Sequence, residues 1–196
     1  MILHNIPPLY SKASQTLILG SFPSVKSREA EFFYGHPQNR FWRVLAGVFS
    51  CKVPQTVEQK KKLVLENRLA LWDVIAECEI TGSADTSIKN VKPNDIAGII
   101  ENTAVSRIFV NGKTAEKYYI RYIEKTVGQK AVCLPSTSPA NAAWSLDRLI
   151  NAWQIRKYAI LLNTQLFIRN NVFFRNTCGN YFILPLHRTA QHNNRE

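Results

Sequence analysis

Thr16-Leu17-Ile18-Leu19-Gly20-Ser21-Phe22-Pro23-Ser24, followed after nine intervening residues by Tyr34-Gly35-His36-Pro37-Gln38-Asn39-Arg40-Phe41-Trp42, carries the clearest structural signal in the chain. The first half is a short apolar run stopped by Gly and Pro, the form taken by a buried parallel strand that delivers a loop at its carboxyl end. The second half gathers a phenol, a glycine, an imidazole, two amides, a guanidinium and two large aromatics around one proline. Such a mixture makes poor regular structure and good site chemistry, and it predicts a pocket wall.

Outward from this stretch, strands and helices alternate. Residues 69–75 read as a second buried strand turning into a loop, 107–111 as a third strand closing on the Asn111-Gly112 turn, and 130–134 as a fourth. Helices are predicted over 24–33, over 39–49 with Phe41, Leu45 and Val48 on one face and Trp42 and Val44 off it, over 54–67, and over 93–101 with Asp95 near the first turn. Another follows Gly112, with Ala115, Tyr119, Tyr122 and Ile123 forming a core-facing stripe. A long last helix is expected from Ser138 as N-cap and Pro139 at its first position, with Leu146, Leu149, Ile150 and Trp153 on one face. The polar loop 81–89 suits the lining of a groove. This alternation predicts an α/β protein with a parallel sheet covered on both sides, whose ligands sit beyond the carboxyl ends of the strands.

Composition narrows the partners. A chain of 196 residues, 45% apolar and 20% charged, suits one domain with a sizeable core. A net charge of +11 and an isoelectric point near 9.7 favour an anionic partner, nucleic acid ahead of a membrane surface. Residues 163–196 hold seven Asn, four Arg, one Glu and no Lys, so the preceding 162 residues keep a net charge of +8. The chain is therefore divided into a domain at 1–162 and a C-terminal extension at 163–196, which reads as a packed hairpin or the product of a shifted reading frame. Met1-Ile2-Leu3-His4 does not open as a basic leader into an apolar core, and no run approaches 18 apolar residues, so a cytoplasmic monomer with no membrane partner is expected. Cys51, Cys78, Cys133 and Cys178 stand 27, 55 and 45 residues apart, a spacing that predicts neither metal ligation nor any cofactor.

The Gly20 to Ser24 turn, the His36 to Trp42 run and the later Leu134-Pro135-Ser136-Thr137-Ser138-Pro139-Ala140-Asn141 together resemble the uracil-DNA glycosylase superfamily, specifically its hypoxanthine-DNA (deoxyinosine) glycosylase branch, over roughly residues 1–162. The resemblance implies a three-layer α/β/α sandwich around a four-stranded parallel sheet. It also implies a monofunctional glycosylase that hydrolyses the N-glycosidic bond of a deaminated base flipped out of DNA, hypoxanthine first and uracil as an alternative. Some members of the superfamily hold an iron–sulfur cluster, for which this cysteine spacing is wrong. A uracil or mismatch glycosylase, and a noncatalytic nucleic-acid-binding module on the same scaffold, are the competing readings.

Base removal builds positive charge on the sugar and negative charge on the leaving base, so a site needs a placed water and donors to the base. Asn39 is the expected catalytic residue: its amide can orient a water and bond a base edge, and the resemblance points to the same residue. Asn is equally well suited to capping the helix that begins there. Gly20, Ser21, Phe22, Pro23, Tyr34 and His36 are the expected base-binding residues, with close backbone approach at Gly20, stacking at Phe22 and donation from His36. Ser136, Thr137, Ser138 and Asn141 are expected to meet DNA phosphates beside a helix N-terminus.

Overall fold

The computed structural model describes residues 1–155, 171–175 and 181–185. The chain divides into two compact units, Met1–Trp153 and Gln154–Glu196. In the first, β1 (Ile2–Leu3) precedes β2 (Thr16–Gly20), α1 (Val25–Glu29), α2 (Phe41–Phe49), α3 (Val57–Glu66), β3 (Leu69–Asp73), β4 (Ile75–Glu79), β5 (Lys89–Pro93), α4 (Ile96–Glu101), β6 (Arg107–Asn111), α5 (Lys113–Tyr122), α6 (Glu124–Val127), β7 (Val132–Leu134) and α7 (Leu146–Ala152). In the second, β8 (Asn171–Arg175) and β9 (Tyr181–Pro185) pair antiparallel, with Phe173 opposite Ile183. The rest of the expected extension lies outside the described residues.

A four-stranded, all-parallel sheet in the order β3-β2-β6-β7 forms the centre. All five residues of β2 are buried, which is why the run reads as continuously apolar rather than alternating. Leu17, Leu19, Ile108 and Val110 join one core cluster with Ala115, Tyr119 and Ile123 of the segment that starts at α5 and with Ile96 of α4. Strand alternation then turns Ile18, Leu71 and Phe109, each 0–1% exposed, to the opposite face. The sheet is thus buried on both sides, as the sequence pattern requires, and both motif loops leave from the carboxyl ends of β2 and β7.

Four elements differ from expectation. After β3 the chain does not enter a loop: a kink at Val74 carries it into β4, which pairs with β1 and β5 in a second, antiparallel sheet. Asn94 holds that kink by donating from Nδ2 to the carbonyls of both Asp73 and Ile75. Helix α2 is buried nearly all round, with Trp42 at 5% and Val44 at 0% exposure alongside Phe41 and Leu45. Tyr122 is only partly buried, and Tyr118 takes its place in the stripe of α5. The last helix starts at Leu146, capped by the Ser145 hydroxyl on the Arg148 N–H, and not at Ser138. Residues 138–144 stay in turns because the carbonyls of Ser138, Asn141 and Trp144, which a helix would bond internally, are taken by the Arg40 guanidinium.

The boundary at Leu162 remains a proposal with a direct check. A chain ending there is expected to be soluble and to melt in one cooperative transition; aggregation or loss of that transition would show that residues 163–196 belong to the fold.

Candidate active site

The carboxyl edge of the parallel sheet opens into a cavity of about 510 Å³. Gly20, Ser21, Phe22, Pro23, Tyr34, His36, Asn39, Ser136 and Ser138 all line it, so both sequence motifs meet at one place. Thr137 and Asn141 do not line it. Thr137 is fully buried and Asn141 braces its own loop, its Nδ2 donating to the Ser136 carbonyl at 2.9 Å. Ser83–Thr86, in the polar loop expected to line a groove, line the cavity, as do two residues not singled out for it in the sequence, Asp73 and Asn111. A signal existed for Asp73 and Asn111: each is the polar residue that ends an apolar strand, at the edge where such sheets bind ligands.

Gly20 and Asp73 are direct neighbours across β2 and β3. A Cβ on residue 20 would lie 2.1 Å from Asp73 Oδ1 and 3.3 Å from the Tyr34 hydroxyl, so only glycine lets the carboxylate and the phenol converge there. Asp73 is 5% exposed, its Oδ2 lies 2.8 Å from His4 Nε2, and its Oδ1 has no hydrogen-bond partner among the described residues. The Tyr34 hydroxyl is shielded from solvent and likewise makes no hydrogen bond. Burial pushes the ionisation of this phenol well above its ordinary range, the Asp73 charge pushes the same way, and the Asn111 amide opposes them less strongly, so Tyr34 is a neutral donor.

Tyr34 is held under constraint. Its φ of 52° lies in the left-handed region, unusual for a bulky residue, and its ring stacks on Phe41 at 3.7 Å between centroids. On one side Phe33 accepts a bond from Trp42 Nε1, and on the other Gly35 donates to the buried Ser27 hydroxyl. Phe22 is 8% exposed, with the Arg28 guanidinium over its ring at 5.6 Å and His4 against it edge to face, so most of its surface is spent on packing. His36 Nδ1 accepts from the Gln38 N–H, which places the ring proton on Nε2 and makes that nitrogen a donor.

Asn39 lines the cavity and also tethers the start of α2. Its Oδ1 accepts from the Phe41 N–H at 2.9 Å, capping α2, and from the Thr137 hydroxyl at 3.0 Å. The oxygen is therefore occupied, and the group left for chemistry is Nδ2, a donor. Thr137 in turn accepts from Asn111 Nδ2 at 2.9 Å and donates its own N–H to Asn111 Oδ1 at 3.0 Å. Arg40 completes the support: its backbone and side chain reach the carbonyl of Thr137, and its guanidinium reaches those of Ser138, Asn141 and Trp144. At the base of the same loop Trp153 donates to the Pro135 carbonyl at 2.9 Å and packs edge-on against Phe41.

The family model described as the Uracil DNA glycosylase superfamily matches residues 7–162. The chain belongs to this superfamily, and with it to the DNA glycosylases. It is 33% identical over 150 residues to a hypoxanthine DNA glycosylase of Methanosarcina acetivorans, covering 76% of this chain and 94% of that protein. A hypoxanthine DNA glycosylase of Methanosarcina barkeri is 32% identical over 139 residues, covering 69% and 85%. The solution NMR structure of a candidate uracil DNA glycosylase from Methanosarcina acetivorans superposes with a TM-score of 0.67 at 30% identity, covering 80% of this chain and 99% of that one. The substrate class of the family is DNA, which suits the net charge, and no helix among the described residues is long and apolar enough to cross a membrane.

Arg40→Met should release the 136–144 loop. Several carbonyl bonds to a cation are lost at once, so a fall in Tm of about 5–10 °C is expected, with that loop becoming the first site of limited proteolysis. A variant with unchanged Tm and cleavage pattern would show that the clamp is dispensable.

Proposed function

We propose that the protein is a monofunctional glycosylase that releases hypoxanthine from deoxyinosine in DNA and begins base excision repair. The observation that carries this reading is the convergence of two groups beside Gly20 in the cavity wall: the Asp73 carboxylate, whose Oδ2 is tied to His4 and whose Oδ1 stays free among the described residues, and the shielded Tyr34 hydroxyl, a donor that makes no hydrogen bond. An acceptor next to a donor matches the N1–H and C6 carbonyl of hypoxanthine. Adenine presents the reverse edge, a ring nitrogen lone pair and an amine, and would set lone pair against carboxylate. Uracil carries the same N–H and carbonyl, and a cavity of about 510 Å³ admits either ring, so uracil is the expected second substrate.

Asn39 acts from the sugar side. With Oδ1 anchored, Nδ2 donates to the oxygen of the attacking water and holds it toward the anomeric carbon, and Asp73 supplies negative charge as the sugar turns cationic. His36 Nε2 can donate to the departing base. Among the described residues no lysine lines the cavity, which supports direct hydrolysis over a Schiff-base intermediate. Ser136 and Ser138 stand at the rim for phosphate contacts, whereas the buried Thr137 serves the loop itself.

The test is incubation with oligonucleotides bearing one deoxyinosine, one deoxyuridine or one mismatched thymine, followed by alkali. Strand breaks are expected at deoxyinosine first; binding without any break would leave only a DNA-binding module. Asn39→Ala should slow base release by roughly 100- to 1000-fold with little change in DNA affinity. Affinity itself should fall steeply with added salt, alike for damaged and undamaged DNA, while the ratio of deoxyinosine to deoxyuridine rates stays constant. A ratio that moves with salt would mean that phosphate contacts, and not the cavity, choose the base.

A further inference from the structure

We propose that His4 is a positioning residue for base release, holding the Asp73 carboxylate so that Oδ1 faces the base edge. The proposal rests on the role given to Asp73 above. His4 does not line the cavity and its side chain is fully buried, so it cannot touch substrate. Its Nε2 lies 2.8 Å from Asp73 Oδ2, and its Nδ1 accepts from the Ile6 backbone N–H at 3.2 Å. A backbone N–H can only donate, so Nδ1 carries the lone pair, the ring proton sits on Nε2, and His4 donates to Asp73.

That direction of the bond has a consequence for the pocket. A carboxylate in a cavity is free to turn about its last torsion and present either oxygen, whereas one whose Oδ2 is tied by a fixed donor presents Oδ1 alone. The donor here is fixed from every side. The imidazole is wedged edge-on between Phe22, at 6.0 Å between centroids, and Trp72, at 6.3 Å. Its backbone N–H donates to the Ala76 carbonyl at 2.7 Å, its neighbour Leu3 pairs with Glu77 in the second sheet, and Trp72 Nε1 donates to the Ile6 carbonyl at 3.1 Å. The short β1 strand and the turn at Ile6 thus exist in the right place to deliver one N–H to the back of a catalytic-pocket carboxylate, 69 residues away in sequence.

The test compares His4→Phe, His4→Gln, Asp73→Ala and the His4→Phe/Asp73→Ala double variant. Each is measured by single-turnover release from a deoxyinosine duplex, by affinity for undamaged duplex and by thermal melting. His4→Phe should slow release roughly ten- to hundredfold with DNA affinity unchanged, the scale of losing one hydrogen bond to a charged group. His4→Gln, whose side-chain amide can still donate to Oδ2, should recover most of that loss. The double variant should be no slower than Asp73→Ala, because a residue that acts only through Asp73 has nothing left to hold. Equal losses in the Phe and Gln variants, or a double variant slower than Asp73→Ala by the full His4→Phe factor, would make His4 a packing residue and overturn the proposal. Should His4→Phe fail to fold, His4→Met removes the donor with less bulk and supplies the same comparison. Full activity in Asp73→Ala would overturn the base-edge reading itself. A slow Asp73→Ala beside a fully active His4→Phe would remove only the role of His4.

Discussion

One buried hydroxyl joins three of the segments that line the cavity. Thr137 Oγ1 accepts from Asn111 Nδ2 at the end of β6 and donates to Asn39 Oδ1 at the start of α2, while its own N–H returns to Asn111 Oδ1. Its carbonyl receives the backbone and side chain of Arg40. A hydroxyl can accept and donate at once, and at zero exposure no water can replace either function. Serine would keep the chemistry but lose the methyl packing; valine would keep the shape, strip Asn111 Nδ2 of its acceptor at a cost of about 1–3 kcal/mol and leave Asn39 Oδ1 with the Phe41 N–H alone.

This relay decides what the site can offer. Every group it consumes is an acceptor or donor pointed back into the protein, and the groups of the cavity wall left without a partner among the described residues include Asn39 Nδ2, Asp73 Oδ1 and the shielded Tyr34 hydroxyl. Because the first is fixed by Thr137, the second by His4 and the third by Phe41, none needs to reorganise when a substrate arrives. The left-handed backbone of Tyr34 and its unsatisfied hydroxyl are costs that the protein carries, and in the proposed complex a bonded base edge relieves the second.

The parallel sheet was legible because burial on both faces leaves a run such as Leu17-Ile18-Leu19 with no polar alternation, and because Gly20 and Asn111-Gly112 punctuate the strand ends. The motif loops were legible for their density of side-chain chemistry. The second sheet was not: β5 is Lys-Asn-Val-Lys-Pro with four of its five residues exposed, and nothing in such a strand has an apolar period. Nor was the delayed start of α7, since Ser138-Pro139 is a good helix opening and what defeats it is a guanidinium about 100 residues earlier in the chain. Asn39 shows the limit most clearly. Its residue type allowed capping, water placement and base contact alike, and only the partners of Oδ1 show that capping takes the oxygen and leaves the nitrogen.

A protein whose first 162 residues carry +8 nonetheless puts two carboxylates, Asp73 and Asp85, into its cavity. Desolvation raises the ionisation range of Asp85, and the charge of Asp73 adds to it, so each further proton-free acid there is resisted. In the proposed reaction this inversion of sign sorts the parts of a nucleotide. The basic exterior draws the phosphates, while the anionic cavity repels them and admits the neutral base. Once the glycosidic bond stretches, positive charge grows on the sugar at the cavity mouth, and the negative charge of the carboxylate becomes a better partner than it is in the ground state. In the proposed reaction Asp73 thus serves the choice of base edge and the rate, and affinity for DNA is left to the surface lysines and arginines.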